Sequence, residues 1–200
     1  VAIVATMADI SNPGGLVAPY GAVAFYIGGM TPHVWTGAQI RAQTARWRLP
    51  IWVYGHKGGA AGGASEGQAA HNWARANNMP STAMICIDME TAVDPAYCNA
   101  FAANDGAHIT CIYGSSSTVF KNPRLSGGYW TANYRAGAAF VLPGSWATQD
   151  SDPSINKTSY DLSALGSVAH MWDWSPVISV RVTNKATKAV TTTTKATVIR

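Results

Sequence analysis

Charge is scarce in this chain. Asp, Glu, Lys and Arg make up 12% of its 200 residues, about half the usual globular share, which excludes a disordered polyelectrolyte or a nucleic-acid-binding tail. Glutamate is scarcer still, with only Glu66 and Glu90 in the whole sequence. The three cysteines, Cys86, Cys98 and Cys111, are odd in number and form no C-x-x-C, so neither a disulfide framework nor a zinc site is expected. Cys86 and Cys111 lie in apolar runs and read as buried thiols. His33, His56, His71, His108 and His170 have no metal-ligand spacing, and His56, after a strand end, reads as a surface or capping residue, with a place facing the site as the alternative. No run reaches the roughly 18 apolar residues of a membrane span. The stretch from Gly55 to Gly67 is rich in glycine but contains neither phosphate-cradling motif, and Ser115-Ser116-Ser117 lacks the nucleophile elbow of a serine hydrolase. No cofactor, no metal, no membrane and no nucleic-acid partner is therefore expected.

What the chain does have is apolar material, 48% of its residues, enough for a large core. Its charge is unevenly placed. Residues 175–200 carry Arg181, Lys185, Lys188, Lys195 and Arg200 and no acid, whereas the net charge of the whole chain is +4, so a near-neutral body bears a basic tail. The most informative stretch is Ala83-Met84-Ile85-Cys86-Ile87-Asp88-Met89-Glu90, an apolar strand ending in two acids spaced i, i+2. Alternate residues of a strand share a face. Asp88 and Glu90 should then face one way, toward a barrel axis, with Ile87 and Met89 under helices. Crowding and desolvation would raise one pKa of such a pair and leave one acid and one carboxylate, the combination glycoside chemistry uses. Solvated acids after a strand end are the plain alternative.

Strand and helix patterns alternate through the first two-thirds. Val23–Ile27 reads as a strand. Thr36-Gly37-Ala38-Gln39 is a capping box opening a helix whose face would carry Ile40, Thr44 and Trp47. After Pro50, Ile51–Tyr54 is the next strand. Gly55–Ala64 reads as a mobile loop at the mouth, followed by a second capping box, Ser65-Glu66-Gly67-Gln68. Asp94-Pro95 is an N-cap with Pro at the first helical position, and His108–Tyr113 is a further strand. This alternation implies βαβ units around a parallel sheet. After Gly114 the helix pattern fades into short strands at Tyr129–Asn133, Ser145–Gln149, Tyr160–Leu162 and Ser167–Trp174. The expectation is a compact, irregular TIM-type (β/α) barrel over residues 1–174 with helices missing in the last strands. A basic β-rich extension over 175–200, a hairpin or extended arm, completes the chain.

Six motifs in order carry a family resemblance: Ala8-Asp9-Ile10-Ser11, Asp88-Met89-Glu90, Ile112-Tyr113-Gly114-Ser115, Trp130-Thr131-Ala132-Asn133-Tyr134, Trp146-Ala147-Thr148-Gln149 and Tyr160-Asp161-Leu162. Together they resemble glycoside hydrolase family 25, the Chalaropsis-type muramidases, and the related glycoside-hydrolase-like domains of actinobacteria and their phages. That resemblance implies cleavage of peptidoglycan, with Glu90 as general acid and Asp88 orienting the sugar acetamido group that attacks in place of an enzyme nucleophile. Asp9 and Asp161 would support them from neighbouring strands. Trp52, Tyr54, Tyr113, Trp130 and Trp146 read either as sugar-stacking faces or as ordinary core and rim aromatics, and Gln149 as a further substrate contact. The chain departs from the family at Asn12-Pro13-Gly14-Gly15, where a substrate loop is usual.

Two readings stay open. One is a muramidase, or its binding-only relative, acting on bacterial cell-wall glycan outside the cell and encoded by a phage or an actinobacterium. The other is a catalytically silent structural protein of a virion that docks on other subunits through residues 175–200.

Overall fold

A computed structural model describes residues 2–11, 20–55, 57–90, 92–133, 139–150, 160–174, 179–183 and 190–194. The two-residue period of its apolar runs gives each strand one face for the barrel interior and one for the helices. The strands are β1 (Ala5–Ile10), β2 (Ala22–Gly29), β3 (Trp47–Val53), β4 (Met84–Glu90), β5 (Ile109–Ser115), β6 (Gly128–Ala132), β7 (Ala147–Asp150) and β8 (Tyr160–Leu165). They close in that order, with β8 returning to β1. Met7, Ala22, Ala24, Leu49, Ile51, Met84, Cys86, Cys111, Trp130 and Leu165 fill the interior. Ala8, Val23, Phe25, Ile85, Ile87 and Met89 face outward onto helix residues such as Ala70, Ala74, Tyr97 and Phe101. Ile87 and Met89 thus lie under the helices, as the strand pattern predicts.

The sheet is not wholly parallel. β8 runs antiparallel to both β1 and β7, because only residues 151–159 separate it from β7, too few for a crossover helix. A short ninth strand, β9 (Trp172–Asp173), pairs antiparallel with the start of β3. β3 contacts β4 only higher up, at Ile51–Val53. The bounds of β3 differ from the expectation for the same reason. It begins at Trp47 rather than Ile51 and contains Pro50, which falls between these two partners on the side where a missing N–H costs no ladder bond. The first helix is correspondingly shorter than its pattern implies. The Thr36 capping box forms, with the Gln39 amide and side chain both engaged, but α1 (Gly37–Arg41) stops after Arg41, and Trp47 is a strand residue.

From Gly59 onward the glycine-rich segment is helix rather than loop. α2 runs from Gly59 to Ala76 with Gly58 as its N-cap, so Ser65–Gln68 lies inside it. A glycine costs a helix about 1 kcal/mol relative to Ala, and close approach to α3 (Pro95–Asn104) offsets that cost here. A Cβ on Gly63 would sit 2.2 Å from the Tyr97 carbonyl oxygen, and one on Gly67 2.4 Å from that of Phe101. Two side chains lock the junction. Buried Glu66 accepts from Trp52 Nε1 at 2.7 Å and from the Tyr97 hydroxyl at 2.6 Å. Asp94 caps α3 through the Tyr97 amide at 3.0 Å and takes the Gly59 amide, at the start of α2, at 2.7 Å. A single-turn helix, α4 (Ser116–Val119), follows β5.

Beyond β9, β10 (Ser179–Thr183) and β11 (Val190–Thr194) pair antiparallel with each other as a two-stranded sheet. The Asn12–Gly15 segment, His56 and Tyr134 lie outside the described residues.

The α2–α3 contact makes a prediction of opposite sign to helix propensity. Gly63→Ala or Gly67→Ala should destabilise the fold by about 1–3 kcal/mol through overpacking, read in denaturant unfolding. Stabilisation would show that the helices are not in backbone contact.

Candidate active site

Four acids meet at the end of the barrel where the parallel strands finish. Asp9 is the penultimate residue of β1 and faces inward with Met7. Asp161 is its direct cross-strand partner on β8. Since β8 is antiparallel, Asp161 reaches this mouth from the amino end of its own strand rather than from a carboxyl end. Asp88, on β4, is inward with Met84 and Cys86. It is three strands from β1 rather than next to it, so Asp9 and Asp88 face each other across the mouth. Asp9 and Asp88 are 8% and 5% exposed; Asp161 is half-buried and Glu90 exposed.

A β-bulge aims Glu90. The register against β5 slips between Asp88, opposite Tyr113, and Glu90, opposite Gly114, and Glu90 has φ +43°, a left-handed conformation uncommon for a residue with a side chain. Gly114 permits it, since a Cβ there would lie 2.6 Å from the Glu90 carbonyl oxygen. Bulges recur beside active sites, where they redirect a side chain and end the ladder. The strict i, i+2 alternation is therefore broken at its last step, and Glu90 emerges at the surface while Asp88 stays buried.

The electrostatics follow from that burial. Desolvation first, and Glu90 second, push the Asp88 carboxyl up to about 7, against a smaller opposing pull from the Glu90 backbone amide. Burial also holds the Asp9 carboxyl well above the usual range, reinforced by Asp88, Asp161 and Glu90. Asp9 Oδ1 and Asp88 Oδ1 are both buried with no hydrogen-bond partner. At neutral pH this mouth carries protons on carboxyls that would be ionised in water.

The aromatic candidates divide into three groups. Tyr113, opposite Asp88, is in the interior; its hydroxyl donates to Gln149 Oε1, and its ring centroid is 4.4 Å from that of Trp130. Trp130 is fully buried and donates to Ser163 Oγ at 3.0 Å. Tyr113, Trp130 and Gln149 therefore line the barrel beside the acids. Tyr54 points the other way, into the helix layer; its hydroxyl lies 3.2 Å from Asp94 and its ring meets Tyr97 edge-on at 4.7 Å. Trp146 precedes β7 and packs at the opposite, amino end of the interior. The structure thus brings together Asp9, Asp88, Glu90, Asp161, Tyr113, Trp130 and Gln149, and sets Tyr54 and Trp146 apart from them.

One mouth residue belongs to none of the six motifs. Tyr26 on β2 is inward with Ala22 and Ala24 and half-buried, and burial together with the four carboxylates holds its phenol protonated. Strand alternation is the signal that points to it: Val23, Phe25 and Ile27 define the outward face of β2, which leaves Tyr26 inside. Among the described residues, no group of three or more His, Cys, Asp or Glu side chains could hold a metal ion, and no helix is long and apolar enough to cross a membrane.

No family model matches the chain, and no curated protein matches it in sequence. Solved structures do match in fold. An uncharacterized protein of B. stearothermophilus superposes with a TM-score of 0.67 at 17% identity, over 84% of this chain and 100% of that one. A Tat-secreted protein of Mycobacterium tuberculosis, solved with HEPES, gives 0.62 at 15% identity over 84% and 98%. The modular autolysin LytC of Streptococcus pneumoniae, solved with a synthetic peptidoglycan ligand, gives 0.52 at 11% identity, over 80% of this chain and 46% of LytC. The compact irregular β/α barrel is the fold this chain shares with these structures.

The raised carboxyls carry a stability signature. Between about pH 4, the unfolded value for Asp, and about 7, the folded value for Asp88, the native state binds the proton more tightly than the unfolded chain. Stability should then fall as pH rises through that window. Each tenfold difference in proton affinity is worth about 1.4 kcal/mol. Asp88→Asn should therefore raise stability at pH 8 by roughly 1–4 kcal/mol and flatten the pH dependence in thermal unfolding. A wild-type protein more stable at pH 8 than at pH 5, with a neutral variant, would contradict the burial argument.

Proposed function

We propose that this barrel binds bacterial cell-wall glycan at its acidic mouth and cleaves it as a muramidase. The observation that carries the reading is the convergence of Asp9, Asp88, Glu90 and Asp161 on one mouth, with the bulge after Asp88 turning Glu90 alone outward. A general acid must reach the leaving oxygen, and Glu90 is the exposed member of the set. Asp88, buried behind it, holds the N–H of a sugar acetamido group in this reading. The acetamido oxygen then attacks the anomeric carbon as the glycosidic C–O bond breaks, and the proton of Glu90 passes to the departing oxygen. In the second half Glu90 takes a proton from water, which opens the cyclic intermediate and restores the acetamido group. Such substrate-assisted routes depart from the two-carboxylate nucleophile scheme. Asp9 and Asp161 support this pair from the paired strands β1 and β8.

The secreted and cell-wall character of the structural neighbours supports an extracellular setting. A second reading is favoured by β10 and β11, which among the described residues pair with each other in a two-stranded sheet. In it the chain is a phage structural component, with residues 175–200 as an arm separate from the barrel at 1–174 that docks on neighbouring virion subunits.

Release of reducing ends from purified peptidoglycan decides between the two. Wild-type protein should release them, and Glu90→Gln should abolish release with folding intact. Asp88→Asn should cost about 10²–10⁴-fold, the usual contribution of such groups. No release from any peptidoglycan chemotype by the wild type would sink the enzyme reading.

A further inference from the structure

Tyr26 brings a hydroxyl donor to the mouth. The buried surface around it offers two orphaned acceptors, Asp9 Oδ1 and Asp88 Oδ1. Strand register fixes its neighbours. Ala24, the next inward residue down β2, pairs with Asp9 on β1. On the other side, Tyr26 pairs with Ile51 of β3, whose next inward residue, Val53, pairs with Asp88 of β4. The inward residues below Tyr26 on β2 are Ala22 and Ala24, and after burial Asp9 and Asp88 act most strongly on its phenol, which agrees with the register in putting Tyr26 beside both aspartates. The phenol stays protonated through the working pH range because burial and all four carboxylates oppose its ionisation.

An amide is the group that complements such a site, since it brings one N–H for a carboxyl oxygen and one carbonyl for a hydroxyl donor. Resting on the muramidase reading, we propose that Tyr26 contacts the substrate, donating its hydroxyl to the carbonyl oxygen of the N-acetyl group whose N–H is held by Asp88. Tyr26 then makes the site selective for N-acetylated over N-deacetylated glycan. It also aims the acetamido oxygen at the anomeric carbon, since a carbonyl held from the outer side keeps its second lone pair toward the ring.

The test uses binding in the Glu90→Gln background, which removes turnover. Two probes suffice, a chitin tetrasaccharide and its fully N-deacetylated counterpart, titrated by calorimetry against Glu90→Gln and Glu90→Gln/Tyr26→Phe. Tyr26→Phe keeps the ring and removes only the hydroxyl, so the unfolding midpoint should stay within about 2 °C. Loss of one hydrogen bond to a neutral group is worth about a factor of 10. The N-acetylated probe should lose about 10-fold in affinity and the deacetylated probe less than 2-fold. Equal effects on both probes, or none on either, would overturn the role of Tyr26 while leaving the muramidase reading standing. Failure of the Glu90→Gln parent to bind either probe would overturn both.

Discussion

A small closed barrel must fill its own interior, and this requirement governs everything else in the structure. Eight strands leave room for side chains and little more, so every inward position from the amino end upward is apolar or small. Only the last inward layer can be polar, because only there does water or a ligand compensate the desolvation. Asp9, Asp88 and Asp161 occupy that layer, above Met7, Cys86 and Ser163. Their position is thus a consequence of strand period and barrel closure, and their raised proton affinity is a consequence of their position. Among the described residues, no cation perturbs Asp9 or Asp88; the causes are burial and the neighbouring acids.

Glu90 is the exception that gives the site its asymmetry. Had β4 continued regularly, Glu90 would have joined the buried layer and added a further unpaired charge to it. The bulge and the left-handed backbone at Glu90, permitted by Gly114, hand one carboxyl to the surface and keep its partner inside. Two acids separated by one residue thereby acquire different environments, the condition under which one fold assigns different roles to like groups.

Much of this is legible in the sequence because it rests on local patterns. The Thr36 and Asp94 caps, the orientation of Ile87 and Met89 and the lack, among the described residues, of any helix longer than one turn after β5 are written in spacing and turn residues. The departures share a different physical origin: they depend on partners distant in sequence. Gly63 and Gly67 signal a loop until the Tyr97–Phe101 backbone is seen pressed against them. Pro50 argues against a strand until β9 is found to take over one edge of β3. The reversal of β8 is forced by the length of its connection, which a pattern of strands alone does not reveal. Of the site, the acids are identifiable from their motifs. Tyr54 and Trp146 are aromatics near strand ends, but nearness to a strand end fixes neither the face nor the end of the barrel that each occupies. Tyr26 lies in no motif, although the clean alternation of its strand already turns it inward.

Two carboxyls that keep protons at the mouth of the barrel are the foundation of the site. Site-resolved titration of the aspartate and glutamate carboxyl carbons by NMR measures this without any substrate. The Asp88 signal should titrate near pH 7, with Asp9 also far above the range of a solvated aspartate and the two curves responding to each other. Midpoints near 4 for both, the value of a solvated aspartate at about 3.9, would mean that the mouth is hydrated and its acids independent, and the account of the site would fail.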